Sequence, residues 1–162
     1  MPVVRGVELA PSYIAHSVFR VVQMALALTV CGLYGVDLNR ARQAGKYSDG
    51  KWVYAEVTGA LAAATAVAYL IPLASRVPFA FVWDSVLFVL WIALFGLFGK
   101  MYLDEDPEGN ADLRRMKHAV WVDLVNALLW LLSAVGMAVF WWTARSVVEL
   151  GPRTRWTGRA KA

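Results

Sequence analysis

Charge and cysteine are the two things that this sequence has little of. Only 17% of its 162 residues are charged, whereas about a quarter are charged in ordinary soluble domains. Hydrophobic residues account for 59%, so many of them must face something other than water. The single cysteine, Cys31, excludes a disulfide within the chain. The composition therefore predicts a membrane protein whose loops are not held by disulfides.

Four apolar segments are each long enough to cross a bilayer as a helix, which needs about 20 residues. They are residues 13–36, 52–75, 79–99 and 119–143. A membrane β-barrel would instead show ~10-residue segments that alternate apolar and polar residues, and the sequence has no such alternation. We predict an all-α membrane protein, a bundle of four transmembrane helices with short connections.

The polar remainder is too small for a separate soluble domain, so the prediction is one membrane domain, 13–143, flanked by segments 1–12 and 144–162. Four spans place both termini on the same side. Lys and Arg concentrate on the cytoplasmic side of membrane proteins, but here they are equally numerous on the two sides of the predicted bundle. This count leaves the orientation open.

The tail 144–162 favours cytoplasmic termini, because it concentrates positive charge directly after the last span. Its cations are Arg145, Arg153, Arg155, Arg159 and Lys161, against the one acid Glu149. Such a tail is attracted to anionic lipid at the cytoplasmic face by about 1 kcal/mol per charge. A solvated flank that makes no lipid contact is the alternative interpretation.

Ionisable residues inside the predicted spans fall into two layers, and the first contains Arg20 and Asp84. Counted from the side of the termini, they lie about seven and about five residues deep, hence at similar depth at about 1.5 Å per residue. We predict an ion pair, because each unpaired charge costs roughly 3 kcal/mol in the bilayer. Gln23 lies on the face of Arg20 and is predicted to join the pair.

The second layer lies near the opposite side and contains Glu56, Asp123 and Asn126. Glu56 and Asp123 are at similar depth in the second and fourth spans, and Asn126 lies one turn beyond Asp123. Two neighbouring carboxylates repel each other unless a cation lies between them. The candidate cations at this boundary are Lys51, Lys100 and His118.

The second span contains TGALAAATAVA, residues 58–68, which is rich in small side chains. Gly59 and Ala63 are four residues apart, and this spacing of small residues lets membrane helices approach closely. We predict that the second helix is the most enclosed of the four and packs through these two positions.

Several blocks of the sequence are similar to those of one protein family. They are GKYSDGKWVYAEVTG, WDSVLFVLWIALFGLFGKMY, MKHAVWVDLVNALLWLLSAV and the close RWTGRAKA. The chain resembles the fungal subgroup of MARVEL-domain proteins over nearly its whole length. The resemblance implies a four-helix membrane bundle with cytoplasmic termini, in the plasma membrane or in endomembrane vesicles. It also implies roles in vesicle trafficking, membrane apposition or lipid-microdomain organisation.

Catalysis and metal binding find little support in the sequence. His16 and His118 lie at opposite sides of the predicted membrane, so they cannot share a site, and Cys31 lies within a span. The acidic loop that begins at Asp104 has carboxylates at spacings of an EF-hand, but the twelfth position, where an EF-hand has glutamate, is Arg115. We therefore expect a protein that is not an enzyme, needs no cofactor and binds no nucleic acid.

Two functions remain open from the sequence. The first is a membrane organiser whose partners are lipids, other membrane proteins or further copies of the chain. A bound sterol, whose ring would pack on the mid-span residues Trp91 or Trp130, or a bound phospholipid is one hypothesis, and non-specific surrounding lipid is the alternative interpretation. The alternative function is a small channel or transporter subunit, because charges within a membrane often mark an ion path. A packed centre between the two charged layers would favour the organiser.

Overall fold

The apolar segments form helices, as expected where lipid offers no hydrogen bonds to the backbone. A computed structural model of the protein describes residues 11–45, 50–71, 80–106 and 109–149. These contain α1 (Pro11–Gln43), α2 (Gly50–Tyr69), α3 (Ala80–Tyr102) and α4 (Ala111–Glu149). The described residues contain no strand, so the prediction of an all-helical chain is confirmed for them.

α1 and α4 extend further into the polar connections than the predicted spans 13–36 and 119–143. α1 continues to Gln43. Two residues later, Gly45 adopts a φ of 61°, and the Gly45 N–H donates to the Arg42 carbonyl at 3.2 Å. This left-handed conformation is a common way to end a helix. α4 begins at Ala111 because the Asn110 side chain accepts hydrogen bonds from the next turn, from the N–H groups of Asp112 and Leu113.

α2 ends at Tyr69, before the end of the predicted span 52–75. Leu70 and Ile71 donate backbone hydrogen bonds to residues only three positions back, Val67 and Ala68, which tightens the last turn. In the sequence Pro72 follows, and proline disfavours helical conformation in the residue before it. The predicted residues 72–75 lie outside the part that the structure describes.

Three of the described helices are long and apolar enough to cross a membrane, judged by length and composition: Ile14–Gln43, Ala80–Tyr102 and Ala111–Thr143. α2 is not among them. Its 20 residues are rich in alanine and include Lys51 and Glu56. Its most apolar stretch is therefore less hydropathic than those of α1, α3 and α4. The fourth span therefore stays a prediction.

The helices pack as two close pairs, α1 with α2 and α3 with α4, and α1 also packs against α4. The contact between α2 and α3 is smaller. The buried core includes Ala27 and Val30 of α1, Leu87 and Trp91 of α3, and Trp130 of α4. Because α1, α3 and α4 all face this core, their polar residues can meet inside the bundle.

Candidate functional site

The first polar layer is a buried cluster around Asp84. Arg20 Nη2 lies 3.7 Å from Asp84 Oδ2, and the two side chains are 2% and 0% exposed. Arg20 Nη1 donates a 2.8 Å hydrogen bond to Gln23 Oε1, and the Ser133 hydroxyl donates to Asp84 Oδ2. The three residues that the sequence grouped by depth are thus together in the structure, and Ser133 of α4 is an addition to them.

Aromatic rings enclose the Arg20 guanidinium. Its central carbon lies 4.4 Å from the centre of the Tyr69 ring, 5.7 Å from Phe19 and 5.8 Å from Trp130. Cations over aromatic faces gain more when they are shielded from water, about 2 kcal/mol. His16, one turn before Arg20, lies with its Nε2 3.4 Å from the Tyr69 carbonyl oxygen. The cluster thus ties the end of α2 to α1 as well as α1 to α3.

The second polar layer is centred on Asp123, which is fully buried. The Tyr34 hydroxyl of α1 donates a 2.6 Å hydrogen bond to Asp123 Oδ2. The Tyr34 ring stacks on Phe98 with 4.5 Å between ring centres. Asn126 is also buried, and its amide donates to the Val122 carbonyl of its own helix at 3.0 Å. The Tyr34 hydroxyl of α1 therefore binds the Asp123 carboxylate, whereas the sequence suggested a cation as its partner.

Glu56 lies apart from this layer, because the second helix turns its carboxylate toward α1. A Cβ added at Gly35 would lie 3.0 Å from Glu56 Oε1, and the Cys31 thiol donates to the Glu56 carbonyl oxygen at 3.9 Å. Among the described residues, no hydrogen bond or ion pair joins Glu56 to Asp123. The two acids share a depth in the sequence but not a site.

Gly59 and Ala63 are both buried, and Gly59 lies at the contact of α1 and α2, as its spacing predicted. A Cβ at Gly59 would lie 2.5 Å from Cys31 Sγ and 3.2 Å from the Ala27 carbonyl oxygen. Only glycine fits so close an approach of the two helices.

Between the two polar layers the bundle is filled with apolar side chains. Those that are fully buried at this level are Ala27, Val30, Leu87, Trp91, Leu94, Ala127 and Trp130. The two mid-span tryptophans, near which the sequence suggested a bound sterol, are fully buried in the core and present no ring face to lipid. Their indole nitrogens are buried without a hydrogen-bond partner in the described part of the chain.

An ion-pair network that the sequence did not predict joins α1 to α4 at the end of the bundle near Asp123. Arg115 Nη2 lies 2.9 Å from both oxygens of Asp37, and Arg40 Nη1 lies 2.8 Å from Asp112 Oδ2. Arg115 Nη1 also lies 3.2 Å from Asp112 Oδ1. These four residues alternate in charge and connect the two helices where both run beyond their most apolar parts.

Of the five cations in the predicted lipid-binding tail, only Arg145 lies among the described residues. Its guanidinium carbon lies 3.3 Å from the centre of the Trp141 ring, and the side chain is exposed. Arg153, Arg155, Arg159 and Lys161 lie outside the described residues, so the role of the tail stays a prediction.

Replacing Tyr34 with phenylalanine is expected to lower the free energy of unfolding by ~1–3 kcal/mol, because a buried carboxylate then loses its donor. The measurement is equilibrium unfolding in mixed micelles. Tyr54→Phe is the matched control, since the Tyr54 hydroxyl donates to the Leu90 carbonyl at 2.9 Å and that carbonyl lies within α3, where it also accepts a helical N–H. Equal losses in the two variants would show that Asp123 does not depend on the phenol.

The described residues form an all-helical bundle with two polar layers buried in an apolar interior. Three of its helices are long and apolar enough to cross a membrane, which is consistent with an integral membrane protein. Within the described ranges, no group of three His, Cys, Asp or Glu side chains is close enough to hold a metal ion. No family model matches the chain, and no curated protein and no solved structure is significantly similar to it.

Proposed function

We propose that the protein is a non-enzymatic, four-span membrane organiser of the MARVEL type, with both termini in the cytoplasm. It would act in lipid-microdomain organisation, vesicle trafficking or membrane apposition, through lateral contacts with lipids, other membrane proteins or further copies of itself. The observation that carries this proposal is the arrangement of the side chains: the ionisable residues are buried in two separate layers within an apolar interior, and the exposed surface of the helices is largely aliphatic.

The outer surface of the bundle is apolar on all four helices. Exposed aliphatic side chains include Val18 and Val22 of α1, Val57 and Val67 of α2, Val86 and Val89 of α3, and Leu128, Leu132 and Val139 of α4. In lipid these side chains keep contact with acyl chains, and the buried polar residues contact one another instead. Such a protein offers its neighbours mainly helix surfaces, which suits lateral association.

The interior supports an organiser because apolar side chains separate the two polar layers. Asp84 and Asp123 are each bound by a neutral or cationic side chain of another helix. Leu87, Trp91 and Leu94 of α3 fill the level between them. Ionisable groups that are bound in separate layers serve to hold helices together.

One observation favours the second candidate, a small channel or transporter subunit. Polar atoms without a partner in the described residues recur along the interior, at Gln23 Nε2, Trp91 Nε1, Asn126 Oδ1 and Trp130 Nε1. They span the distance from Asp84 to Asp123, and buried polar atoms without protein partners commonly bind ordered water. A file of water there would connect the two layers.

Reconstitution of the full chain distinguishes the two functions. The protein is labelled at an exposed site and placed in vesicles with coexisting ordered and disordered lipid domains, and proton flux is measured on the same preparation. Clustering or enrichment in one domain, with flux equal to that of protein-free vesicles, is the expected result. Flux that disappears in Asp84→Asn would assign the channel function, and a random distribution without flux would contradict the organiser.

A further inference from the structure

All four helices contribute to one cleft at the end of the bundle near Asp123. It is an open groove with a volume of about 190 Å³, and its lining includes Asp37 of α1, Trp52 of α2, Tyr102 of α3, and Asp112, Arg115 and Met116 of α4. We propose that this cleft, called the interfacial cleft below, binds the phosphocholine headgroup of a membrane lipid. The inference rests on the membrane location in the proposed function and adds the class of lipid.

The depth of the cleft matches the headgroup region of a bilayer. Trp52 lies in the first turn of α2 and Tyr102 is the last residue of α3, so both rings lie where helices leave the apolar layer. Tryptophan and tyrosine concentrate at this level in membrane proteins. A cleft at this depth is within reach of lipid headgroups.

The aromatic rings of the interfacial cleft are held in place by Phe98. The centre of the Trp52 ring lies 5.1 Å from that of Phe98, and the centre of the Tyr102 ring lies 6.2 Å from it, with a 7° angle between the planes of the latter pair. Fixed aromatic walls beside a carboxylate are the usual recognition element for a quaternary ammonium group. Asp37 and Asp112 supply the carboxylates.

The charge of the cleft favours a zwitterion over an anion. The network around it contains two aspartates, Asp37 and Asp112, and two arginines, Arg40 and Arg115. It is therefore neutral overall, with carboxylates and guanidinium groups alternating. A trimethylammonium group would lie near the carboxylates and rings. The phosphate would lie near Arg115 and would share its guanidinium with Asp37 and Asp112, to which both Nη groups are already bound.

Asn110 adds a second donor for the phosphate. Asn110 lines the cleft. Its side-chain carbonyl oxygen accepts hydrogen bonds from the N–H groups of Asp112 and Leu113. The amide N–H₂ group, on the other side of the side chain, would donate to the phosphate. Choline is favoured over ethanolamine because a primary ammonium needs several hydrogen-bond acceptors. The carboxylates of the cleft already accept bonds from arginine, and methylated nitrogen needs only charge and ring faces.

The test is thermal unfolding of the full-length protein in detergent, titrated with short-chain lipids that have identical acyl chains and different headgroups. A ligand that binds the folded state raises the melting temperature in a saturable way. We expect phosphatidylcholine to bind at least about tenfold more tightly than phosphatidylglycerol or phosphatidylethanolamine, and Trp52→Leu to lose about tenfold of that affinity.

Trp121→Leu is the matched control, because Trp121 is exposed on α4 and does not line the cleft; it should bind like the unaltered protein. Asp112→Asn is a second variant at an exposed position, should Trp52→Leu fail to fold, and is expected to weaken phosphatidylcholine binding. Equal binding of all headgroups, or equal behaviour of Trp52→Leu and Trp121→Leu, would overturn the proposal.

Free phosphocholine separates a lipid from a soluble ligand of the same chemistry. We expect it to bind at least about tenfold more weakly than the lipid, which gains affinity from its buried acyl chains. Equal affinity would overturn the assignment to a lipid. If the unaltered protein clusters in vesicles but shows no selectivity between headgroups, this inference is contradicted and the proposed function is not.

Discussion

Replacing Asp84 with alanine is expected to lower the free energy of unfolding by about 3–5 kcal/mol, because it leaves the charge of Arg20 buried without its partner. Arg20 is 2% exposed and is enclosed by the Tyr69 and Trp130 rings, so water cannot easily replace the carboxylate. Ser133 loses its acceptor in the same variant. The measurement is equilibrium unfolding in mixed micelles, with Asp106→Ala as the control at an exposed acid.

Joint replacement of both partners by apolar residues, Arg20→Met with Asp84→Leu, is expected to cost less than Asp84→Ala alone. A buried ion pair gains little over apolar residues of similar volume, whereas one charge left alone is costly. A double-mutant cycle with the two single variants gives the coupling energy of the pair. Additive losses would show that Arg20 and Asp84 do not stabilise each other.

The Arg20–Asp84 pair could be predicted because depth in a membrane follows directly from sequence position. A helix rises by about 1.5 Å per residue, and the cost of charge in lipid leaves few ways to satisfy two opposite charges at one depth. Glu56 and Asp123 show that equal depth alone does not predict a contact. They are equally deep, but the direction in which a side chain points depends on how the helices are paired, and α2 turns Glu56 toward Gly35.

The uncharged partners of the buried aspartates and the ion pairs between α1 and α4 could not be predicted from the sequence. Tyr34 and Ser133 carry no charge, so a search for charges does not single them out, although each binds a buried aspartate. Arg115 and Asp37 are 78 residues apart and lie in segments that composition marked as polar connections. Their pairing required α1 and α4 to extend into those segments, and local signals set that extension, the Asn110 cap and the left-handed Gly45.

The helical secondary structure could be predicted from the composition, because a backbone in lipid has few alternatives to the helix. The end of α2 was harder. Apolar residues continue beyond Tyr69 in the sequence, and hydropathy alone extends the span through them. The backbone bonds of Leu70 and Ile71 close the helix earlier. Hydropathy measures preference for lipid, whereas the end of a helix depends on where its last carbonyls find donors.

Replacing Gly59 with leucine is expected to destabilise the bundle by about 3 kcal/mol, the upper end of the range for an overpacked core. The first atom of any side chain there would meet Cys31 Sγ at 2.5 Å and the Ala27 carbonyl oxygen at 3.2 Å. A thiol can rotate away, but a backbone carbonyl moves only with its helix. Leucine should therefore separate α1 from α2 instead of being absorbed locally.

Two measurements check this separation. Unfolding in mixed micelles gives the loss of stability, and spin labels at the exposed positions Leu28 and Leu61 report the distance between α1 and α2. Gly96→Leu is the matched control, since a Cβ at Gly96 has nothing within 4 Å. Cys31→Ala should partly restore the stability of Gly59→Ala, because it removes the nearest atom. An unchanged label distance in Gly59→Leu would show that the contact of α1 and α2 does not depend on this glycine.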